Sequence, residues 1–378
     1  PEDFEQEVYF PLQCGFSESS SLFQLIQQPS PNLMFNDSYK FFSGTSRTMS
    51  QHFADLFQRL VKDSRLKLRD GLLVELGSND GVFLRHAAQS GVRHLGFEPS
   101  SGVAEASKAF GVNVTEEFFS ESAAIAARDM HGQASLIYAA NVMCHIPDIR
   151  DLATGIEHLL SPEGVLVFED PYLGAVIELT SFDQIYDEHV FLFSALSVQN
   201  IFSSVGMELI DTEPQPTHGG SMRYTLGKAG RHPISPRVAQ TLSREVAIGL
   251  GRVETYHDFA ERVADNGRAL KTMLSDLAHD GLDIGAFGAT SKSTTVYNYA
   301  GIGPDLISRV FDNTPAKIGK LSPGMHIPII DSTTFASEPP QVAFLAAWNH
   351  QSEILNRNST YASQGGRWIT HVPQVRFL

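Results

Sequence analysis

Three acids crowd one glycine turn in this chain. The run Val74-Glu75-Leu76-Gly77-Ser78-Asn79-Asp80-Gly81 follows an apolar strand and opens a helix. Glu98 closes the next strand, about 20 residues on. Gly77 and Gly81 permit a tight turn and let a ligand approach the backbone closely. In a doubly wound sheet ligands sit at the carboxyl ends of the strands, and the acid that ends the second strand reaches a ribose hydroxyl pair. This turn is no phosphate loop, since it lacks a Lys and the usual glycine spacing. Glu75, Asp80 and Glu98 would repel a pyrophosphate. They suit a ligand with a cationic group and a free ribose, and S-adenosylmethionine, with its sulfonium and ammonium, is such a ligand. The alternative is an ordinary strand-to-helix turn.

Other residues capable of chemistry gather elsewhere. Tyr186-Asp187-Glu188-His189 precedes a helix over 194–205 whose face carries Leu196, Val198 and Ile201, which places the run near the carboxyl edge of the sheet. His145 follows a strand over 136–140 and should line the same mouth; Asn141, at that strand's end, is placed for cofactor contact. His218-Gly219-Gly220-Ser221-Met222-Arg223 reads as a turn into a strand, with paired glycines that open backbone N–H groups to a ligand. Phe118 and Phe119 could sandwich an adenine or simply fill the core. Cys144 reads as a small buried apolar group. Further on, Gly285-Ala-Phe-Gly288-Ala289 ends a strand and opens a helix with Lys292 in its first turn, a place where amides and an ammonium together favour an anion such as a diphosphate. Asp312 ends the next strand as a ribose-binding acid would, and Trp348-Asn349-His350 ends another. A nucleotide fold that serves only as scaffold is the competing reading.

The elements that must hold these residues follow from hydrophobic period. Met49, Phe53, Leu56 and Leu60 share one helix face from Ser46. Apolar runs over 72–76, 92–98, 136–140 and 165–169 alternate with helices over 82–88 and 102–110 and a stripe at Leu152, Ile156, Leu159 and Leu160, the pattern of a parallel, doubly wound α/β sheet. A long helical stretch spans 234–279. A second α/β unit follows, with strands over 284–287, 306–311, 342–347 and 368–372 and a helix over 291–299. The division expected is a small N-terminal lobe (1–45), a cofactor-binding domain (46–230), and a long helix with a Rossmann-like domain (231–378).

Composition narrows the classes. In 378 residues, 42% are hydrophobic and 19% charged, ordinary globular values. No apolar run reaches the ~18 residues of a membrane helix. A net charge of −15 argues against a duplex nucleic-acid binder. Two cysteines, Cys14 and Cys144, make a disulfide framework improbable and a cytoplasmic setting the default. The chain opens at Pro1 with no basic-then-apolar leader, as a trimmed product would.

Glu75-Leu-Gly-Ser-Asn-Asp-Gly81 with Gly96-Phe-Glu-Pro-Ser100 resembles the S-adenosylmethionine site of class I methyltransferases. Asn141-Val-Met-Cys-His145-Ile-Pro, Phe168-Glu-Asp-Pro-Tyr-Leu, Asp187-Glu-His189, His218-Gly-Gly-Ser-Met-Arg223, Gly288-Ala-Thr-Ser-Lys292 and Pro323-Gly-Met-His-Ile-Pro328 extend the likeness from about residue 33 onward. Together they resemble the sugar C-methyltransferases that act on nucleotide-linked 4-keto-deoxysugars, including those that make branched sugars such as tetronitrose. The resemblance implies a class I methyltransferase sheet, S-adenosylmethionine bound at Glu75, Gly77, Ser78, Asn79, Asp80, Gly81, Glu98 and Asn141, and a carbon methylated through an enolate. It makes His189 the general base, with Glu188 orienting or charge-balancing it, Tyr186 hydrogen-bonding the enolate, and His145 in the same catalytic set, donating to the enolate or holding the sugar. Tyr39, His218, Lys292 and Asn349 fall on the substrate side.

The family usually carries a zinc lobe with two Cys-x-x-Cys pairs. Here Ser17 and Ser20 stand at the second pair and the first is absent. Four ligands are needed for a structural zinc, so no zinc is expected, and the lobe should be held by Phe10, Phe16, Leu22 and Phe23. The same cofactor acting on a non-sugar ketone or hydroxyl, and a catalytically silent binding protein, are the rival functions. Neither nucleic acid nor membrane is expected as a partner.

Overall fold

The computed structural model describes residues 4, 7–36, 42–45, 47–63, 66, 68 and 70–378; Tyr39 lies outside them. Near the N-terminus, β1 (Cys14–Ser17) and β2 (Leu22–Leu25) form an antiparallel hairpin that pairs Phe16 with Phe23. At its tip Ser20 Oγ donates to Ser17 Oγ at 2.8 Å. Leu22 and Phe23 are buried and Phe16 packs beside Tyr256, whereas Phe10 stays half-exposed.

The central sheet is built from β3 (Leu72–Leu76), β4 (Arg93–Phe97), β5 (Val114–Thr115), β6 (Ala134–Ala140) and β7 (Leu160–Pro171). A short β8 (Phe191–Leu192) leaves this sheet and pairs with β2, and β9 (Met207–Gln215) and β10 (Ser221–Lys228) then complete it. The order is β5-β4-β3-β6-β7-β10-β9, parallel through β7 and antiparallel at β10. It reverses direction between β3 and β6, so the switch-point crevice opens beyond Leu76 and Ala140. β3 is buried along its whole length because helices cover both faces. On one face the helix Arg47–Lys62 seats Phe53, Leu56 and Leu60 against Phe83 and Tyr138. Each such side chain removed from water contributes about 1.5–3 kcal/mol.

The chain from 234 to 279 is two helices, Pro236–Ala247 and Val253–His279, broken where Gly249 takes a φ of +81°. The stripe residue Leu160 begins β7 rather than ending its helix, which is Ile149–Leu159. After the long helix come β11 (Ile284–Phe287), β12 (Arg309–Asp312), β13 (Ile329–Asp331), β14 (Val342–Leu345), β15 (Arg367–Thr370) and β16 (Arg376–Phe377). Their order, β13-β12-β11-β14-β15-β16, is Rossmann-like, with only β16 antiparallel. The chain is therefore α/β: a class I methyltransferase sheet, a second Rossmann-like unit and a small N-terminal lobe. No helix among the described residues is long and apolar enough to cross a membrane.

Candidate active site

At the switch point the glycine turn is drawn tight. Gly77 has a φ of +61°, and a Cβ there would stand 2.4 Å from Val142, across the crevice. Gly81 has a φ of +73°, where a Cβ would meet Val112 at 2.9 Å. Glu98 accepts from Asn79 N at 3.0 Å and Ser100 N at 2.9 Å, tying the turn to the end of β4. Asn79 and Asp80 reach the other way: their side chains accept from Ser43 N at 2.9 Å and Gly44 N at 3.0 Å.

Two polar atoms facing this turn are buried without a hydrogen-bond partner, Glu75 Oε2 and Ser78 Oγ. Burial, then the charges of Asp80 and Glu98, pushes the Glu75 carboxyl well above its usual range. Burial also raises Asp80 and Glu98. Three desolvated acids around a glycine turn are relieved by a cationic ligand, so the residues present fit a sulfonium donor. Phe119 packs edge-on to Phe97 in the core at 5.1 Å between ring centroids, and Phe118 is left 39% exposed, so only the latter is open to a ligand.

A column of rings stands beside the turn. Phe35 stacks on His145 (5.6 Å), His145 on His189 (5.4 Å), and His189 meets Tyr186 (3.9 Å). Lys292 Nζ stands 5.9 Å from the Tyr186 ring centre. His189 is pinned at both nitrogens. Nδ1 donates to the Gln184 carbonyl at 2.8 Å, since a carbonyl only accepts, which leaves Nε2 to accept from the Tyr186 hydroxyl at 2.7 Å. Burial, then the fields of His145 and Lys292, holds His189 well below the ordinary histidine value. Burial brings His145 down to about 4 and His218, with help from Lys292, to about 3. The imidazoles of this centre are thus neutral. Glu188 goes the other way, raised to about 7 by burial and then by Asp187, against the pull of Lys292 and Lys317.

Residues 46–212 match the family described as "Methyltransferase domain", and residues 216–373 match "C-methyltransferase C-terminal domain". The C-methyltransferase NovU of Streptomyces niveus is 30% identical over 379 residues, an alignment spanning 100% of this chain and 90% of that protein. The chain belongs to the C-methyltransferase family. Among solved structures, a magnesium protoporphyrin IX methyltransferase from Synechocystis PCC 6803 with bound donor is similar at 13% identity and a TM-score of 0.36, over 48% of this chain and 79% of that one. An S-adenosylmethionine-dependent methyltransferase from Anabaena variabilis is similar at 14% identity and a TM-score of 0.35, over 47% of this chain and 93% of that one.

The cofactor of this C-methyltransferase is therefore S-adenosylmethionine, which supplies an electrophilic methyl. The turn residues Glu75 to Gly81, with Glu98, surround the crevice that would hold it. Asn141 (φ +54°) stands at the end of β6; its N donates to the Glu169 carbonyl at 2.7 Å and its Nδ2 to His218 Nε2 at 3.2 Å. Asn349 stands half-buried in the turn Trp348–His350, whose Trp348 ring fills the space a Cβ on Gly219 would need.

Several positioning residues carry no local sequence signal. Gln184 holds His189 through its carbonyl and donates its side-chain amide to the His218 carbonyl. Asp183, fully buried, accepts from Trp348 Nε1 at 2.6 Å and so ties this segment to the second unit. Leu25 N donates to the Val190 carbonyl at 2.9 Å, so the N-terminal hairpin braces the residue after His189. His52 and Arg223 flank Glu169 at 2.9 and 2.8 Å; burial opposes its ionisation, but the hydrogen bond with His52 and the Arg223 guanidinium outweigh it and hold its carboxyl low. Cys144, His145 and His189 offer ligand atoms within 4.8 Å of one another. Burial and the neighbouring Asp170 keep the Cys144 thiol protonated, and both His189 nitrogens are engaged, so the cluster reads as packing.

Proposed function

We propose that this methyltransferase alkylates the carbon next to the ketone of a nucleotide-linked 4-keto-deoxysugar, through an enolate, with His189 as general base. One observation supports this most: a neutral imidazole whose Nδ1–H is fixed on the Gln184 carbonyl and whose Nε2 lone pair accepts from the Tyr186 hydroxyl. A ketone oxygen entering beside Tyr186 competes for that hydroxyl. Once the hydroxyl turns to the ketone, Nε2 is free to accept the proton of the adjacent carbon. The C–H electron pair then moves to the carbonyl oxygen, where Tyr186 donates to it. Glu188 offsets the imidazolium that forms, and His145 walls the column. Bound S-adenosylmethionine would supply the electrophilic methyl for the enolate carbon, with the thioether as leaving group, and His189 then returns its proton to solvent. Positioning and the hydrogen bond to the enolate oxygen carry most of the acceleration.

The acceptor lies on the side of His218, Lys292 and Asn349, with residues 46–230 as the donor-binding domain and the unit within 231–378 facing the nucleotide. The two thiols, Cys14 and Cys144, are free, which suits a reducing, cytoplasmic setting and a role in deoxysugar biosynthesis.

The test is His189→Asn assayed with donor and candidate keto-sugar nucleotides by mass spectrometry. Turnover should fall about 10³-fold, within the span of general-base effects, while donor affinity by calorimetry stays within about threefold. Full activity in the variant rejects the base. A wild-type protein that adds no CH₂ to any keto-sugar nucleotide, yet methylates another ketone or a hydroxyl, rejects the substrate class.

A further inference from the structure

The second α/β unit sends a lysine into the first unit's reaction centre. Lys292 stands in the first turn of the helix Ser291–Ala300, is 9% exposed, and aims its ammonium at the Tyr186 ring. Burial lowers its pKa, while Asp183 and Glu188 support its charge through space. The three imidazoles within its field, His189, His218 and His350, are all depressed, by burial first. Lys292 therefore presents a cation to this centre, seated against the Tyr186 ring.

The glycine turn at the foot of its helix is already filled. Asp312 accepts from Ala289 N at 2.7 Å and from Thr314 N at 2.8 Å. Thr290 N donates to Ser293 Oγ at 2.9 Å and Ser293 N to Thr290 Oγ1 at 3.1 Å, a closed capping box. Lys317 Nζ donates to the Ala289 carbonyl at 2.7 Å. A carboxylate and two hydroxyls thus already hold the amides of Ala289, Thr290, Ser293 and Thr314.

Removing a proton from carbon leaves a negative charge on an oxygen beside Tyr186, inside a poorly solvated cleft. Fixed charges placed for that moment act strongly there, because no solvent has to reorganise. An ammonium over the face of a phenol is held by the ring and makes the hydroxyl a stronger donor.

We propose that Lys292 is the counter-charge of the enolate, acting through the Tyr186 hydroxyl, and that the second unit thereby completes the catalytic centre instead of anchoring the diphosphate. This rests on the enolate reading above. The reaction stops at the enolate when S-adenosylhomocysteine replaces the donor, so the step can be read alone, as exchange of the proton next to the ketone for solvent deuterium. The probe is a thymidine diphosphate-linked 4-keto-6-deoxyglucose. Wild-type protein should exchange. Lys292→Met should slow exchange about 100-fold, with KM for the probe moved less than about threefold and donor affinity retained. Lys292→Arg, which keeps the charge, should recover at least about a tenth of the wild-type rate. Lys292→Gln is measured in parallel, and whichever neutral variant still binds donor is the one compared. Unchanged exchange with KM raised about tenfold or more makes Lys292 a substrate anchor and overturns the inference alone. A wild-type protein that methylates a substrate yet never exchanges this proton overturns the enolate reading itself.

Discussion

Gly77 and Gly288 hold the same place in two sheets. Each directly follows the strand at the centre of its parallel set, with φ +61° and +101°, and a Cβ on either would strike the second residue past the neighbouring strand, Val142 at 2.4 Å or Ala347 at 2.6 Å. Each turn is tied to an acid at the end of the next strand: Glu98 holds the amides of Asn79 and Ser100, and Asp312 those of Ala289 and Thr314. The frames match and the charges do not. Two residues before Gly77 stands Glu75, buried with an unpaired oxygen; two before Gly288 stands Ala286, which is wholly apolar. The first turn carries Asp80, while the second is surrounded by Lys292 and Lys317. One sheet architecture thus serves a cationic ligand in the first unit. In the second its turn is closed on itself and its lysine faces the neighbour.

The sharpest way to break that comparison is to place the same methyl in both turns. Gly77→Ala adds a Cβ at positive φ and against Val142, inside the donor crevice. We expect donor affinity to fall about 100-fold or more, since strain of roughly 1–2 kcal/mol adds to the steric conflict. Gly288→Ala carries similar strain and should lower thermal stability, but donor affinity should stay within about threefold. Calorimetric titration of both variants decides. Equal losses of donor affinity would mean that the second turn also takes part in the donor site.

Much of this frame was legible because buried parallel strands are unbroken apolar runs. LLVEL and VLVFE fall inside β3 and β7, and the glycine turn with its distant acid reads directly from spacing. β9 (Met207–Gln215) was missed: it is an edge strand with Glu208, Asp211 and Glu213 turned outward and Pro214 near its end, which looks like a loop. The helical stretch expected over 234–279 runs through the break at Gly249, because apolar residues recur on both sides of it and the positive φ there leaves no mark in that pattern. Tyr186 and His189 were singled out for their roles by resemblance alone, and the hydrogen bond between them shows only in the structure. Gln184 was not, because it acts through its carbonyl, and any residue type has one. Lys292 was placed on a phosphate by its helix position, and only tertiary packing shows Tyr186 beneath it.

A smaller effect sharpens the contrast at the interface of the units. Glu188 is the acid there raised to about 7, while the histidines are depressed. Its ionised form offsets the imidazolium made on His189, so activity should rise with pH through about 7 and level off above it. Glu188→Gln should lose that rise and lower kcat about 10–100-fold. A rise that persists near pH 7 in the variant would assign it to another group, with a depressed His189 the least suitable.

The first unit also stores carboxylates that the second lacks, and their cost should appear as a pH slope. Asp170, at the end of β7, is fully buried; Oδ2 accepts from Cys144 N at 3.1 Å, Oδ1 has no hydrogen-bond partner, and burial raises it to about 8. In the unfolded chain the same group titrates near ~3.9. Between those values the folded protein binds a proton that the unfolded chain has released, so stability falls as pH rises. The contribution is complete below the unfolded value and is lost as pH climbs through about 8. Asp170→Asn keeps an acceptor for Cys144 N and removes the titration. Its melting temperature relative to wild type should therefore increase from pH 5.5 to pH 8 by about 2–4 °C. Asp312 has both oxygens on amides, so Asp312→Asn exchanges one acceptor for a donor and should lower the melting temperature at both pH values. If Asp170→Asn shifts melting equally at both pH values, Asp170 is ionised in the folded protein and an unseen partner must hold Oδ1.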